Sequence, residues 1–264
     1  MKKYKYLVVN GCSFVDGGPM LSDYKLENPK STRYSELTSG ERSAFKKTHR
    51  FSKLLSDRLG CEEINIAELG GSNDRIFRTT FDWVADNKEK VNKTLFVCGL
   101  TSILRRDLWS NYTNDYIISS EIHQDIPRIA NRVNASVKEV QQWRDFELKY
   151  LINEDEIEKK IIRDCVLFDC YIKGLSSNVI FFNSLGDYEI YRRTFRNQTT
   201  LDDQDGVFDE NINFLKFKNE KYEGNNWTKF IDSYRNHFTF LHPNEDDHKM
   251  LSSLLYKYIK ENFK

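Results

Sequence analysis

The feature that most restricts the fold of this chain is a repeated one: a short apolar run of strand type that stops on a polar or glycine turn, followed by a stretch of helical period. Residues 4–9 (YKYLVV) run into Asn10 and Gly11, 63–67 (EINIA) into a loop at 68–72, 94–98 (TLFVC) into Gly99, and 178–183 (NVIFFN) into Ser184. Between the first two runs, Phe51, Leu54, Leu55 and Leu59 share one face of a helix over 49–59 that Gly60 stops. Ile76, Thr80, Phe81 and Val84 mark a second helix over about 73–86, and Ile157, Ile161, Cys165, Phe168 and Ile172 a third, from an N-cap at Asn153 to Gly174. A last helix over about 245–263 turns Met250, Leu251, Leu254, Leu255, Tyr258 and Ile259 inward.

Strands alternating with helices predict a three-layer α/β/α fold of flavodoxin-like type, with a mostly parallel sheet and helices on both faces. The expectation is one α/β domain over 1–264, with helical and loop insertions at about 16–47, 103–151 and 184–238. The first insertion has little periodicity and reads as a long surface loop. The second reads as helical in pieces, clearest at 136–151, where Ser136 and Glu139 form a capping box. The third is polar, studded with aromatic residues, and has no assignable period.

Lys and Arg total 40 and so do Asp and Glu, a balance that argues against a nucleic-acid partner held over a broad basic face. The first residues carry only a short apolar run, broken by Asn10 and Gly11, so neither a signal peptide nor membrane insertion is expected. Five scattered cysteines without a CxxC pair predict no disulfide framework and no metal site, and they suit a cytoplasmic location. No cofactor motif is present.

In parallel α/β sheets, ligands bind outside the carboxyl ends of the strands. Residues 10–14, 68–73, 99–102 and 184–187 fall there, and four stretches of the chain could carry chemistry. Gly11-Cys12-Ser13-Phe14 is a tight turn that can expose a serine hydroxyl, or one whose serine bonds its own backbone. Glu68-Leu69-Gly70-Gly71-Ser72-Asn73 offers N–H groups and an amide to an oxyanion, or else caps the next helix. Gly99-Leu100-Thr101-Ser102 brings two hydroxyls, with Arg105 and Arg106 on the next turn as a carboxylate contact or a solvated face. His242, just before Pro243 and Asn244, stands where a general base can approach, and His248 lies on the helix that follows.

In order, these segments resemble the four blocks of the SGNH (GDSL-like) hydrolases, in a divergent branch with GCSF in block I and GxSNDRI in block II. The anchors are 8–14, 65–76, 96–106 and 242–255. The resemblance implies that Ser13 is the nucleophile, His242 the general base, and the N–H groups of Ser13 and Gly70 an oxyanion hole. It also marks two departures. The asparagine of block III falls at Thr101, so the side-chain donor is Thr101 or Asn73. The acid that orients the histidine falls at Thr239, which leaves Asp187 or Asp232 to replace it, or a Ser-His dyad.

The implied activity is hydrolysis of a short acyl or O-acetyl ester on a carbohydrate, lipid or small metabolite. The alternative is a catalytically degenerate domain of the same type that binds a glycan or protein partner through its long loops and aromatic-rich excursion.

Overall fold

A computed structural model describes residues 4–18, 39–118, 126–185, 212–221, 223–224, 226–234 and 243–263 of the chain. Its centre is a four-stranded sheet, β1 (Tyr6–Asn10), β2 (Glu62–Asn65), β3 (Thr94–Leu100) and β6 (Asn178–Asn183), in the order β2-β1-β3-β6. All three neighbouring pairs are parallel, with Val9 beside both Asn65 and Val97, and Phe96 beside Val179. Two short antiparallel hairpins lie outside it: β4 (Asp107–Ser110) with β5 (Asp115–Ile118), and β7 (Phe217–Lys218) with β8 (Glu223–Gly224).

The helices in chain order are α1 (Ser13–Asp16), α2 (Ser39–His49), α3 (Phe51–Leu59), α4 (Asn73–Asp86), α5 (Lys88–Val91), α6 (Ile126–Arg132), α7 (Val137–Phe146), α8 (Glu154–Gly174), α9 (Trp227–Tyr234) and α10 (Glu245–Asn262). A π-helical turn, Glu147–Leu151, continues α7.

Alternation along each strand divides the core in two. Leu7, Val9, Leu95, Val97, Ile180 and Phe182 face α3, α9 and α10, whose Phe51, Leu55, Trp227, Ile231, Leu251 and Leu255 are buried with them. Val8, Phe96, Cys98, Val179 and Phe181 face the other way, onto Ile76, Phe77, Cys165 and Phe168 of α4 and α8. The result is the expected three-layer α/β/α arrangement with a parallel sheet. Each fully buried Leu, Ile or Phe contributes roughly 1.5–3 kcal/mol, so both layers are needed to hold strands that present apolar side chains on both faces.

The caps read from sequence are made. Ser136 and Glu139 close a capping box on α7, Asn153 accepts the Glu156 N–H at the start of α8, and Asn244 closes a second box with Asp247 on α10. Gly60 ends α3 in the left-handed region at φ 66°.

Three expectations need correction. Residues 39–47, read as loop, belong to α2, which is held from outside by Lys46 on Asp16 (2.5 Å) and within its own turns by stacking of Phe45 on His49. Residues 107–118, read as helical, form the β4–β5 hairpin, turned at Asn114 with φ 49°. Within the third insertion, α9 and the β7–β8 hairpin are ordered parts of the core. Phe217, Trp227 and Phe230 are buried there, so these aromatic residues fill the interior instead of facing a ligand. Among the described residues the exposed aromatic ones are Trp109, Tyr112, Trp143, Phe146 and Tyr150 of the second insertion, with Phe81 of α4 and Tyr171 of α8.

Candidate active site

β1 ends on a side chain that is wholly buried. Asn10 Nδ2 lies 2.8–2.9 Å from the Ile76 carbonyl and the Thr79 and Thr80 hydroxyls of α4, and its Oδ1 accepts the Gly11 N–H at 2.8 Å. The chain then turns at once into α1, with the Cys12 carbonyl accepting from Val15 and Asp16, and the Ser13 carbonyl from Gly18 at 2.7 Å. Ser13 thereby sits at the carboxyl edge of the central strand, nearly buried at 6% exposure.

The neighbouring turns close on it because they lack side chains. A Cβ on Gly71 would stand 3.0 Å from the Gly11 carbonyl oxygen, and one on Gly99 would stand 2.4 Å from Val15 Cγ2. Gly18 is bordered by both Ser13 and Leu69, whose Cδ2 would be 3.0 Å from an added Cβ. The Glu68 N–H donates to the Gly11 carbonyl at 3.2 Å, and Gly70 takes φ 76° between them. Among the described residues the Gly70 N–H makes no hydrogen bond. Ser184, after β6, completes the group: its Oγ is 2.7 Å from the Leu100 carbonyl and 3.5 Å from Cys12 Sγ. The chain at the ends of β2, β3 and β6 thus packs on the turn that carries Ser13, at Gly11, Cys12 and Val15.

Asn73 and Thr101 come together in an unexpected way. Asn73 Oδ1 accepts the Thr101 N–H at 2.9 Å, and its Nδ2 donates to the carbonyls of Thr101 (3.0 Å) and Ser102 (3.3 Å). The amide is thus used to lock the start of α4 to the end of β3. The capping function falls to Ser72, whose Oγ accepts the Arg75 N–H. The Thr101 hydroxyl, by contrast, is buried and has no hydrogen-bond partner among the described residues. An uncommitted buried hydroxyl costs free energy to keep.

His242, Asp187 and Thr239 lie outside the described residues. Asp232 is on α9, the helix tied to the strand edge by Thr228 Oγ1 donating to the Ser184 carbonyl at 3.2 Å. The start of α10, just after His242, is at the same edge: Glu245 lies 4.0 Å from His49, and Lys46, one turn earlier on α2, reaches Asp16 of the Ser13 turn. His248 is a core residue. It is 1% exposed, stacks on Phe51, and its Nδ1 accepts the Phe51 N–H at 3.2 Å.

The reading of the sequence missed Asn10 and Asp16, which fix the Ser13 turn from either side. An asparagine at the end of an apolar strand and an acid in the next turn were visible signals. Their partners, Thr79, Thr80 and Lys46, are 30 or more residues away and carry no local mark.

A family model described as a family of unknown function (DUF6071) matches residues 33–207. None of the curated proteins matches the sequence. The structure is similar to that of TesA (TM-score 0.47, 9% identity, covering 97% of this chain and 98% of that one). It is also similar to the psychrotrophic esterase EstA from Pseudoalteromonas sp. (0.44, 10%, 97% and 97%). A third similar structure is a carbohydrate esterase whose active site displays divergent catalytic and non-catalytic binding functions (0.43, 14%, 100% and 70%). These likenesses concern the course of the chain alone.

Proposed function

The chain belongs to the DUF6071 family, whose function is unknown, and from its own residues we propose that it is a serine hydrolase of the SGNH type acting on an ester. One observation carries this reading: a serine on a glycine-lined turn at the carboxyl edge of a parallel sheet, where the other three strand-end turns converge.

In the proposed mechanism, Ser13 Oγ attacks the acyl carbonyl while His242 takes its proton. The carbonyl oxygen becomes an oxyanion, held by the N–H groups of Ser13 and Gly70 and by the Thr101 hydroxyl. The C–O bond to the alcohol then breaks, and the proton on His242 leaves with the alcohol. Water attacks the acyl-Ser13 ester by the same route, releasing the acid and restoring the serine. The uncommitted N–H of Gly70 and hydroxyl of Thr101 are what favour this set of donors. Asn73, drawn from the sequence as an alternative donor, is instead assigned the positioning of Thr101. Asp187 and Asp232 remain the proposed orienters of His242, with Thr239 at the family's acid position. The substrate class is a short acyl or O-acetyl ester of a small molecule or glycan.

The second reading is a degenerate binding domain. It is favoured by Thr239 where the family has an acid, and by the engagement of the Asn73 amide with backbone. Hydrolysis of p-nitrophenyl acetate by the wild type, Ser13→Ala and His242→Ala separates the two. Turnover lost in both variants supports the dyad, and no turnover by a folded wild type leaves the binding domain.

The described residues contain no helix long and apolar enough to cross a membrane.

A further inference from the structure

Between the start of α4, the segment after β3 and the start of α8 lies a cavity of about 280 Å³ that the mechanism does not use. Asn73, the residue that locks Thr101, forms part of its wall, so the cavity and the candidate site share a side. Ile103, Leu108 and Ile161 give it an apolar lining, and Arg105 enters it from the turn after β3.

Arg105 differs from every other charged residue of that wall. Arg106 pairs with the buried Glu147, Asp107 with Arg78, Glu156 with Lys159, and Lys160 with both Asp74 and Asp164. Arg105 has no ion pair among the described residues, and its Nε and Nη1 are buried without hydrogen-bond partners. Guanidinium N–H groups cut off from water and left unpaired are costly, and they recover that cost by binding an oxyanion, whose oxygens accept them in charge-assisted bonds.

We propose that this cavity is an anion subsite, with Arg105 as its anchor, that takes a carboxylate or phosphate carried on the ester substrate together with a few of its carbons. The assignment to substrate rests on the hydrolase reading. The binding of an anion does not.

The test therefore has two arms. In the first, thermal unfolding of the wild type and Arg105→Gln is followed in sodium phosphate, sodium succinate and sodium chloride at equal ionic strength. Phosphate or succinate should raise the wild-type Tm above its value in chloride, saturably, and should not do so for Arg105→Gln. The anion with the larger effect identifies the headgroup chemistry. No rise above chloride in the wild type, or an equal rise in the variant, overturns the subsite. If Arg105→Gln does not fold, Arg105→Lys replaces it, and a smaller rise than in the wild type is expected.

In the second arm, kcat/KM is compared for p-nitrophenyl acetate and the p-nitrophenyl hemiester of succinic acid. The preference for the hemiester should fall about 10-fold in Arg105→Gln, the scale of one charged hydrogen bond. An unchanged preference contradicts the placement of the substrate anion on Arg105. If anions bind through Arg105 but neither ester turns over, the subsite stands and the hydrolase reading fails.

Discussion

Asn73 grips Thr101 by both of that residue's backbone polar groups, accepting its N–H at 2.9 Å and donating to its carbonyl at 3.0 Å. One side chain thus joins the first turn of α4 to the residue that follows β3 and fixes where the Thr101 backbone stands. Asn73→Ala would leave two buried backbone groups unpaired, and each costs about 1–3 kcal/mol. The expected result is a loss of about 2–6 kcal/mol in urea unfolding at an unchanged m-value, with any esterase activity lowered as well.

Thr101→Val should behave in the opposite sense for stability. Its hydroxyl is buried and unpartnered, so removing it is neutral or stabilising for the fold. If the hydroxyl is an oxyanion donor, kcat should fall about 10²-fold while KM changes little. An unchanged kcat would remove Thr101 from the oxyanion hole.

With Gly11, Gly99 is one of the two tightest approaches in the site. A Cβ there would meet Val15 Cγ2 at 2.4 Å and Phe182 Cζ at 2.8 Å, so Gly99→Ala should cost about 1–3 kcal/mol through overpacking. Because Val15 is the nearer obstacle, Val15→Ala should relieve part of that cost, and the double variant should be more stable than the sum of the two single effects. Strict additivity would show that the strain lies elsewhere.

The fold was legible where burial on one segment sufficed to mark it. The four strands, α3, α4, α8 and α10 each carry their own apolar period or cap, and Asn153 and Gly60 bound their helices by local chemistry alone. What stayed hidden depends on distant partners. α2 has little apolar face and is held by the Lys46–Asp16 pair, while β7 and β8 are two residues each, too short for any period. In the site, Ser13 and the glycine turns announced themselves through residue type. The commitment of the Asn73 amide and the solitude of Arg105 are properties of three-dimensional neighbours, which no spacing encodes.

Two shielded thiols, Cys98 buried and Cys61 half-buried, give a pH dependence that is independent of the chemistry. Burial pushes Cys98 up to about 12, against a weaker opposing bond from Thr80, and Cys61 up to about 11. An unfolded thiol ionises near 9, so between pH 9 and these values the unfolded chain releases protons that the native state keeps. The contribution is therefore whole below pH 9 and is lost as pH rises toward 12, for Cys98 by up to about 1.4 kcal/mol per pH unit. Unfolding curves from pH 8 to 10.5 should show stability falling, with a shallower fall in Cys98→Ala. Equal slopes would place the alkaline loss on other groups.

The central claim is that Ser13 is a nucleophile, and a fluorophosphonate probe tests it most directly. Phosphonylation of the wild type, followed by proteolysis and mass spectrometry, should place one adduct on the peptide that contains Ser13. Ser13→Ala, folded to the same extent by circular dichroism, should take up none. Equal labelling of the two proteins, or no labelling of a folded wild type at probe concentrations that saturate a known serine hydrolase, would contradict the account.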